Sequence, residues 1–353
     1  MNSEWRQSAA AGFAENPLLS VSELRRYYYA RSRRLLARRR TIRAVDGVSF
    51  DLYEGETLGL VGESGSGKST LGRQLVGLER PTAGSVHYRG HVLSRLDARE
   101  LAPIRTDLQM IFQDSYASLN PRKPIFDILS APLLYHGLET RATVERRVDE
   151  LLAMVGLAAN AKARYPHEFS GGQRQRLGIA RAISVNPRVI VCDEPVSALD
   201  VSIQAQILNL LLDLQEELGL TYLFIGHGLS VVNYMSDRIA VMYLGKIVEL
   251  APAEELFRRP LHPYTRALIA AAPIPDPRLR RPDVELLEGD ISSHNAPVSG
   301  CNFQPRCPLA ESACRSLEPA LTEVCRYGER AVDGHLLACP VAARELMKKE
   351  GET

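Results

Sequence analysis

A glycine-rich loop between an apolar segment and a helical segment constrains the fold of this 353-residue chain more than any other feature. The run Thr57–Val61 has the length and composition of a buried strand, and residues 69–78 carry apolar side chains at helical spacing. Gly62, Gly65 and Gly67 lie in the short loop between them. Because a strand, a tight loop and a helix form the repeating unit of layered α/β folds, the chain is predicted to be an α/β protein.

The loop Gly62-Glu63-Ser64-Gly65-Ser66-Gly67-Lys68-Ser69 fits the phosphate-binding pattern G-x4-G-K-[ST]. Its glycines allow backbone N–H groups to surround phosphate oxygens, and the start of the next helix adds a favourable dipole. Lys68 is predicted to reach the β- and γ-phosphates of a nucleotide, and Ser69 to supply an oxygen to Mg²⁺. The predicted nucleotide contacts are therefore Gly62, Glu63, Ser64, Gly65, Ser66, Gly67, Lys68, Ser69 and Thr70.

Two acids follow a second apolar segment. The β-branched run Val189–Cys192 suits a buried parallel strand, and Asp193 and Glu194 come directly after it. Asp193 is predicted to hold Mg²⁺, directly or through water. Glu194 is predicted to be the general base that polarises the attacking water. The glycine-rich loop alone leaves kinases, GTPases and many ATPases as alternatives.

A third motif, Ser170-Gly171-Gly172-Gln173, lies at the start of a predicted helix. A hydroxyl and exposed N–H groups at a helix N-terminus offer a second binding site for phosphate. With this segment the chain resembles the ABC ATPase family, whose signature is the Ser-Gly-Gly-Gln sequence. The resemblance implies a RecA-like P-loop NTPase fold with antiparallel β and helical subdomains. It also implies that the signature binds the ATP held by a partner subunit; Phe169 stands where many members have leucine.

The resemblance implies roles for three more polar residues. Gln113 matches the Q-loop glutamine that senses Mg²⁺ and the attacking water, and Asp200 matches the D-loop acid that faces the other subunit. His227 matches the switch histidine that contacts the γ-phosphate. Gly228 departs from the family pattern, which usually has an acid after this histidine. The local geometry of the switch therefore stays open.

The family also places an aromatic ring against adenine, upstream of the phosphate loop. Tyr27, Tyr28 and Tyr29 all occupy a suitable strand-to-loop position. Counting from Leu24 favours Tyr28, so Tyr28 is the predicted adenine contact, while the other tyrosines are expected to be core or surface residues.

Three stretches resemble the oligopeptide and dipeptide importer branch of this family. They are residues 113–122, the motif Leu261–Arg266, and the segment Ser299–Phe303 continued by Arg306–Pro308. The resemblance runs from about residue 20 to residue 340. It implies an ATP-binding domain over residues 18–268, with a helical subdomain at about 115–177, and a loop-rich C-terminal extension over residues 269–345.

Five of the six cysteines lie in that extension. Cys301, Cys307 and Cys314 have C-x5-C-x6-C spacing, and Cys339 or Cys325 could supply a fourth thiolate. Four thiolates can bind Zn²⁺ or an iron–sulfur cluster. Some relatives in this branch carry a [4Fe-4S] cluster here, so the resemblance favours a cluster held by Cys301, Cys307, Cys314 and Cys339, with zinc and uncoordinated thiols as alternatives.

Overall charge and hydropathy point to the compartment. Lys and Arg total 43 against 42 Asp and Glu, so the chain has no general electrostatic bias toward nucleic acid. No apolar run approaches the ~20 residues that span a bilayer, so the chain is expected at the cytoplasmic face of the membrane, bound through other subunits.

The arginine-rich segment from Arg25 to Arg43 is either a solvated loop or a contact for anionic lipid or an acidic partner.

These features predict an ATP hydrolase, using ATP and Mg²⁺, that powers import of oligopeptides or dipeptides. The resemblance implies a heterodimer with a related ATPase, two membrane permease subunits and an extracytoplasmic peptide-binding protein. One alternative keeps the transporter and changes its cargo to nickel or another small solute. The other is a non-transport ABC ATPase, which usually has two nucleotide domains in one chain or a long coiled-coil insertion.

Overall fold

The computed structural model describes residues 16–30, 40–197, 199–271, 299–324 and 334–350. Two features discussed above fall outside these ranges, the middle of the arginine-rich segment and Cys325, and so does Ala198, two residues before Asp200. Among the described helices, none is long and apolar enough to cross a bilayer.

The strands of the described residues form two sheets, of eight and four strands. In chain order the strands are β1 (Leu19–Ala30), β2 (Arg40–Leu52), β3 (Thr57–Val61), β4 (Ala83–Tyr88), β5 (His91–Val92), β6 (Leu108–Ile111), β7 (Val189–Asp193), β8 (Thr221–Ile225), β9 (Arg238–Tyr243), β10 (Lys246–Pro252), β11 (Thr322–Glu323) and β12 (Leu336–Leu337). The larger sheet has the strand order β11-β12-β10-β9-β3-β8-β7-β6. The smaller sheet has the order β2-β1-β4-β5.

Helices connect and cover these strands. In chain order they are α1 (Lys68–Leu75), α2 (Ala98–Asp107), α3 (Ser115–Ser118), α4 (Ile125–Tyr135), α5 (Val144–Met154), α6 (Gly171–Ile183), α7 (Val201–Leu218), α8 (Leu229–Met235), α9 (Ala253–Arg258), α10 (Pro263–Ala270) and α11 (Pro340–Glu350).

The larger sheet has a parallel centre, because β3 pairs in parallel with β8 and β9, and β7 with β6 and β8. All five residues of β3, of β7 and of β8 are buried, as their apolar sequences predict for strands covered on both faces. Parallel strands end at a common edge. That edge therefore collects the loops after β3, β6, β7 and β8, which carry the predicted site residues.

The smaller sheet is antiparallel throughout. Its inward side chains, with those of α1, form a second core that includes Leu19, Val45, Leu52, Leu71 and Leu75. Each fully buried aliphatic side chain of this kind contributes about 1.5–3 kcal/mol relative to an exposed one. This packing holds the start of α1, and so the phosphate loop, against both sheets.

The helical segment predicted at about 115–177 contains α3, α4, α5 and the first half of α6. Leu129, Leu133, Val148, Leu151 and Leu177 are almost completely buried and belong to one hydrophobic core with β7 and β8. The segment carries the helix that begins with the signature motif. Packing thus joins the signature to the sheet that bears the predicted catalytic acids.

The C-terminal extension adds structure that its loop-rich sequence did not predict. Strands β12 and β11 extend the larger sheet beyond β10, and a small core contains Leu261, Val324 and Leu337. Two-residue strands are too short to give a periodic signal, which explains why the sequence predicted only loops.

The buried Glu249 carboxylate anchors this extension. It accepts hydrogen bonds from the backbone N–H groups of Leu261 (2.8 Å) and His262 (3.0 Å) and lies 2.9 Å from His335 Nε2. His262 Nδ1 in turn accepts from the Tyr264 N–H and caps α10. The motif Leu261–Arg266 therefore has a structural role, which is to fix α10 against β10.

Burial of His262 at the start of α10 makes the stability of the folded chain depend on pH. It lowers the pKa of His262 to about 4, with a smaller lowering from Arg266, while the charge of Glu249 opposes the shift. Because the unfolded chain binds this proton near pH 6.5 and the folded chain does not, stability is lost as pH falls from about 6.5 toward 4. This pKa shift lowers the free energy of unfolding by about 2 kcal/mol between pH 7 and pH 5.

We expect His262→Asn, which keeps a capping oxygen and removes the titrating ring, to flatten this pH dependence. The thermal denaturation midpoint of the wild type should fall more steeply between pH 7 and pH 5 than that of the variant. If the denaturation midpoints of the two proteins fall equally between pH 7 and pH 5, His262 is not the group that makes stability depend on pH.

Candidate nucleotide-binding and hydrolysis site

The phosphate loop has a backbone that only glycine can follow at two points. Gly62 and Gly67 have φ values of 154° and 107°. A Cβ on Gly67 would lie 1.9 Å from the Ala44 carbonyl oxygen, and one on Gly62 would lie 2.1 Å from that of Met242. The loop is therefore pressed against the smaller sheet on one side and against β9 on the other.

Lys68 closes the loop on itself. Its ammonium donates to the carbonyl oxygens of Gly62 (2.8 Å) and Glu63 (2.9 Å) and lies 3.3 Å from Ser66 Oγ. Burial lowers the pKa of Lys68, and the charges of Glu194, Asp193 and Glu63 oppose that shift. The side chain is thus a buried cation at the N-terminus of α1, placed where a phosphate would be bound.

Ser69 and Asp193 form the predicted magnesium pair. Ser69 Oγ donates to Asp193 Oδ1 at 2.8 Å, which joins the first turn of α1 to the end of β7. Burial raises the pKa of Asp193, while the hydrogen bond from Ser69 and the charges of Arg73 and Lys68 oppose the shift. A hydroxyl and a carboxylate in contact are oxygen ligands of the type that Mg²⁺ prefers, so these residues fit the ion.

Glu194 is held between two other residues at the same edge of the sheet. Gln113 Nε2 donates to Glu194 Oε2 at 2.7 Å, and His227 Nε2 lies 2.5 Å from Glu194 Oε1. The Glu194 side chain is 6% exposed and that of His227 is 43% exposed. The structure thus brings together three residues that the sequence could only place after separate strands.

The backbone of Glu194 is strained at this position. Its φ is 49°, in the left-handed region that non-glycine residues seldom adopt, and its N–H donates to the Ile225 carbonyl at 3.0 Å. The hydrogen bond across to the end of β8 holds the strained residue in place. His227 follows β8 by two residues, so the same link sets its distance to the acid.

The predicted signature segment caps its own helix. Ser170 Oγ accepts from the Gln173 N–H at 3.3 Å, and Gln173 Oε1 accepts from the Ser170 N–H at 3.0 Å. This reciprocal capping box begins α6. A Cβ on Gly172 would meet the Ile203 side chain at 2.5 Å, so α7 packs directly against the motif and requires glycine there.

Tyr28 and Asp200, the predicted contacts to adenine and to a partner subunit, lie outside the residues described so far. Tyr28 Oη donates to Glu79 at 2.5 Å, and the Arg26 guanidinium lies 4.7 Å from the centre of the Tyr28 ring. Tyr29 is 60% exposed. Asp200 is exposed at the start of α7. Their predicted roles, on adenine and on a partner subunit, stay predictions.

The sequence missed two residues that touch the phosphate loop from later in the chain, Tyr264 in α10 and Arg306 in the C-terminal extension. The Arg306 guanidinium forms two hydrogen bonds with the Glu63 carboxylate, and the Tyr264 hydroxyl accepts from the Glu63 N–H. Both lie in stretches already recognised as typical of the peptide-importer branch. Nothing in the sequence linked those stretches to the loop.

The four predicted metal-ligating cysteines, Cys301, Cys307, Cys314 and Cys339, are thiols outside any disulfide. Burial raises the pKa of Cys301 and Cys339 and raises that of Cys307 to about 11. Within the described ranges, no group of three or more His, Cys, Asp or Glu side chains is placed to hold a metal ion. The arrangement therefore does not support the predicted iron–sulfur or zinc site.

Comparison with known proteins agrees with this geometry. The model of the ABC transporter family matches residues 45–197, and that of the oligopeptide/dipeptide transporter C-terminal region matches residues 248–314. The oligopeptide transport ATP-binding protein AppF of Bacillus subtilis (strain 168) is 47% identical over 328 residues, which cover 92% of this chain and 97% of AppF.

A second relative is the oligopeptide transport ATP-binding protein OppF of Salmonella typhimurium (strain LT2). It is 54% identical over 284 residues, covering 80% of this chain and 85% of OppF. The chain belongs to the ABC transporter ATP-binding family. Within that family it carries the oligopeptide/dipeptide C-terminal region.

The solved structures agree on the fold of this ABC ATPase. The ATP-binding cassette MJ0796, solved as a dimer in a post-hydrolysis state with ADP and Pi, has a TM-score of 0.59 and 30% sequence identity. The match covers 67% of this chain and 98% of that one. The predicted P-loop NTPase fold with parallel and antiparallel sheets is therefore confirmed.

Because the phosphate loop packs closely against its neighbours, adding a single methyl group at Gly67 is predicted to weaken ATP binding strongly. Gly67→Ala would place its Cβ inside the Ala44 carbonyl and force an alanine to a φ near 107°. We expect ATP affinity to fall by at least about tenfold, measured by equilibrium binding. Gly178→Ala in α6 is the matched control, because its Cβ meets nothing within 4 Å; it should bind ATP normally and gain up to about 1 kcal/mol of stability.

Proposed function

We propose that this chain is the ATP-binding and ATP-hydrolysing subunit of an importer for oligopeptides or dipeptides. The observation that carries the hydrolytic part is the contact of Glu194 with both Gln113 and His227, beside the Ser69–Asp193 pair. The transport part is supported by relatives called oligopeptide transport ATP-binding proteins and by the matching C-terminal region.

The phosphate loop would bind the triphosphate through the backbone N–H groups of residues 62–70 and the Lys68 ammonium. Ser69 and Asp193 would hold Mg²⁺, which neutralises phosphate charge when bound. A buried cation and a run of N–H dipoles favour an anionic ligand, because charges interact more strongly where one of them is buried, as the Lys68 ammonium is.

Hydrolysis would begin with a water positioned by Glu194 and Gln113. The Glu194 carboxylate takes a proton from the water as its oxygen bonds to the γ-phosphorus, and the bond to the β–γ bridging oxygen breaks to release ADP. His227 lies against Glu194 and is exposed enough to reach a γ-phosphate. Its contact with the base is consistent with a role in orienting the carboxylate, despite the glycine at position 228.

A second copy of the signature segment would complete each site. The N-terminus of α6 carries unpaired N–H groups suited to phosphate, and the exposed Asp200 lies at the start of α7, which packs on that segment. We propose that two ATPase subunits close on two ATP molecules and that the partner is a related chain. Tyr28 would stack on adenine after Arg26 moves from its ring.

The proposed complex includes two membrane permeases and an extracytoplasmic peptide-binding protein. The helical segment with α3, α4 and α5 exposes the large side chains of Tyr116, Tyr135 and Leu138, which we propose as permease contacts. The chain would then lie at the cytoplasmic face of the membrane.

Glu194→Gln tests the chemistry. We expect ATP binding to persist and turnover to fall by about 10²- to 10⁴-fold, because the amide cannot accept the proton of water. Glu216→Gln on the exposed face of α7 is the matched control and should leave turnover unchanged. Undiminished phosphate release by Glu194→Gln would remove Glu194 from the proposed role.

A pull-down tests the transport assignment. Tagged chain should recover two permeases, a related ATPase and a peptide-binding protein from detergent-solubilised native membranes, identified by mass spectrometry. Recovery of a nickel-binding or other solute-binding protein would change the cargo. Recovery of soluble nucleic-acid or ribosomal partners alone would overturn the transport role and leave the ATPase chemistry intact.

A further inference from the structure

Glu63, the second residue of the phosphate loop, is held by the C-terminal extension through its side chain. Arg306 Nη1 lies 3.0 Å from Glu63 Oε2 and Arg306 Nη2 lies 3.1 Å from Oε1. The side chains are 8% and 26% exposed. A two-pronged guanidinium–carboxylate pair of this kind fixes orientation as well as distance.

The same residue is held through its backbone. The Glu63 N–H donates to the Tyr264 hydroxyl at 2.9 Å, and Tyr264 is completely buried. Tyr264 and Arg306 lie 201 and 243 residues after Glu63 in the chain. One loop residue thus has both its side chain and its amide fixed by distant parts of the sequence.

The extension packs tightly enough to hold these contacts. Phe303 is 1% exposed, and its ring centre lies 5.2 Å from that of Tyr243 and 5.5 Å from that of Tyr264. This aromatic cluster joins the end of β9, α10 and the segment that carries Arg306. Movement of Arg306 relative to Tyr264 would disrupt it.

A second pair of hydrogen bonds connects the extension to the phosphate loop. Asn302 Nδ2 donates to the Leu244 carbonyl at 3.4 Å, and the next residue, Gly245, donates its N–H to the Ser66 carbonyl at 2.9 Å. The extension therefore contacts the β9–β10 turn that supports the far side of the phosphate loop.

The charge of Glu63 makes the Arg306 contact important for the ligand. A carboxylate in a loop that binds phosphates repels them, and the Glu63 charge also acts on Lys68, where with Glu194 and Asp193 it opposes the lowering of the pKa by burial. Arg306 both orients this carboxylate and neutralises it. Without Arg306, the loop would carry an uncompensated negative charge.

We propose that Arg306 of the C-terminal extension and Tyr264 of α10 support the phosphate loop as positioning residues that set nucleotide affinity, Arg306 by neutralising and orienting the Glu63 carboxylate and Tyr264 by holding the Glu63 backbone. The proposal deepens the proposed function and rests on it. It gives the C-terminal region of this branch a direct part in the ATP site, since backbone N–H groups bind phosphate best when they are already in position.

The test compares Arg306→Gln, Glu63→Gln and the double variant in the full-length chain. The dissociation constant of trinitrophenyl-ATP and the KM and kcat for ATP are measured for each. Arg306→Gln should weaken binding and raise KM about tenfold with kcat changed by less than about twofold, because it leaves Glu63 charged and unpaired. The double variant should bind as Glu63→Gln alone does, because no charge is then left to compensate.

Arg344→Gln is the matched control. Arg344 pairs with Glu311 at 2.7 Å in the same extension, but the two side chains are 55% and 47% exposed. This variant should bind the nucleotide as the wild type does. Arg306→Lys keeps the charge and loses the two-pronged contact, so it should bind with intermediate affinity.

Rescue of Arg306→Gln by Glu63→Gln separates this proposal from a general loss of folding, which a second substitution would not repair. Unchanged affinity in Arg306→Gln, or independent losses that add in the double variant, would overturn the proposal. Failure of the wild type itself to bind the analogue would instead overturn the proposed ATPase function.

Discussion

The tight seating of the phosphate loop is the constraint on which the rest of the structure depends. Three parts of the structure contact one short loop: Ala44 of the smaller sheet, Met242 of β9, and the Glu63 partners Tyr264 of α10 and Arg306 of the extension. Glycine is required where two of these contacts meet the backbone. The antiparallel sheet, the parallel sheet and the C-terminal extension therefore share one surface, and each must fold correctly for the loop to present its N–H groups.

The buried carboxylates at the sheet edge follow from the same arrangement. Placing Asp193 and Glu194 out of water costs free energy unless each has partners. Ser69 satisfies one acid, while Gln113 and His227 satisfy the other. These partners lie in segments that follow different strands of the parallel sheet, Ser69 after β3, Gln113 after β6 and His227 after β8, so the strand order of the sheet determines which groups can share the site.

The sequence predicted the strands beside this site where local pattern and motif spacing agree. Apolar runs located β3 and β7, and the acid Glu194 that follows β7 lies in contact with His227, which the family resemblance had singled out. The contact between Arg306 and Glu63 was not predictable, because no spacing rule joins residues so far apart in sequence. The extension's strands were missed for another reason, since two residues give no alternation to detect.

The signature segment shows how one residue can serve the fold and a partner's ligand together. Ser170 Oγ accepts the Gln173 N–H to cap α6, which uses a lone pair and leaves its own hydroxyl proton available. The cap therefore fixes the direction of a donor that can reach a phosphate oxygen. Glycine at the next two positions keeps the helix start uncovered, and Ile203 packs where a larger residue at Gly172 would lie. The cap that begins the helix thus also prepares its N-terminus for an anion.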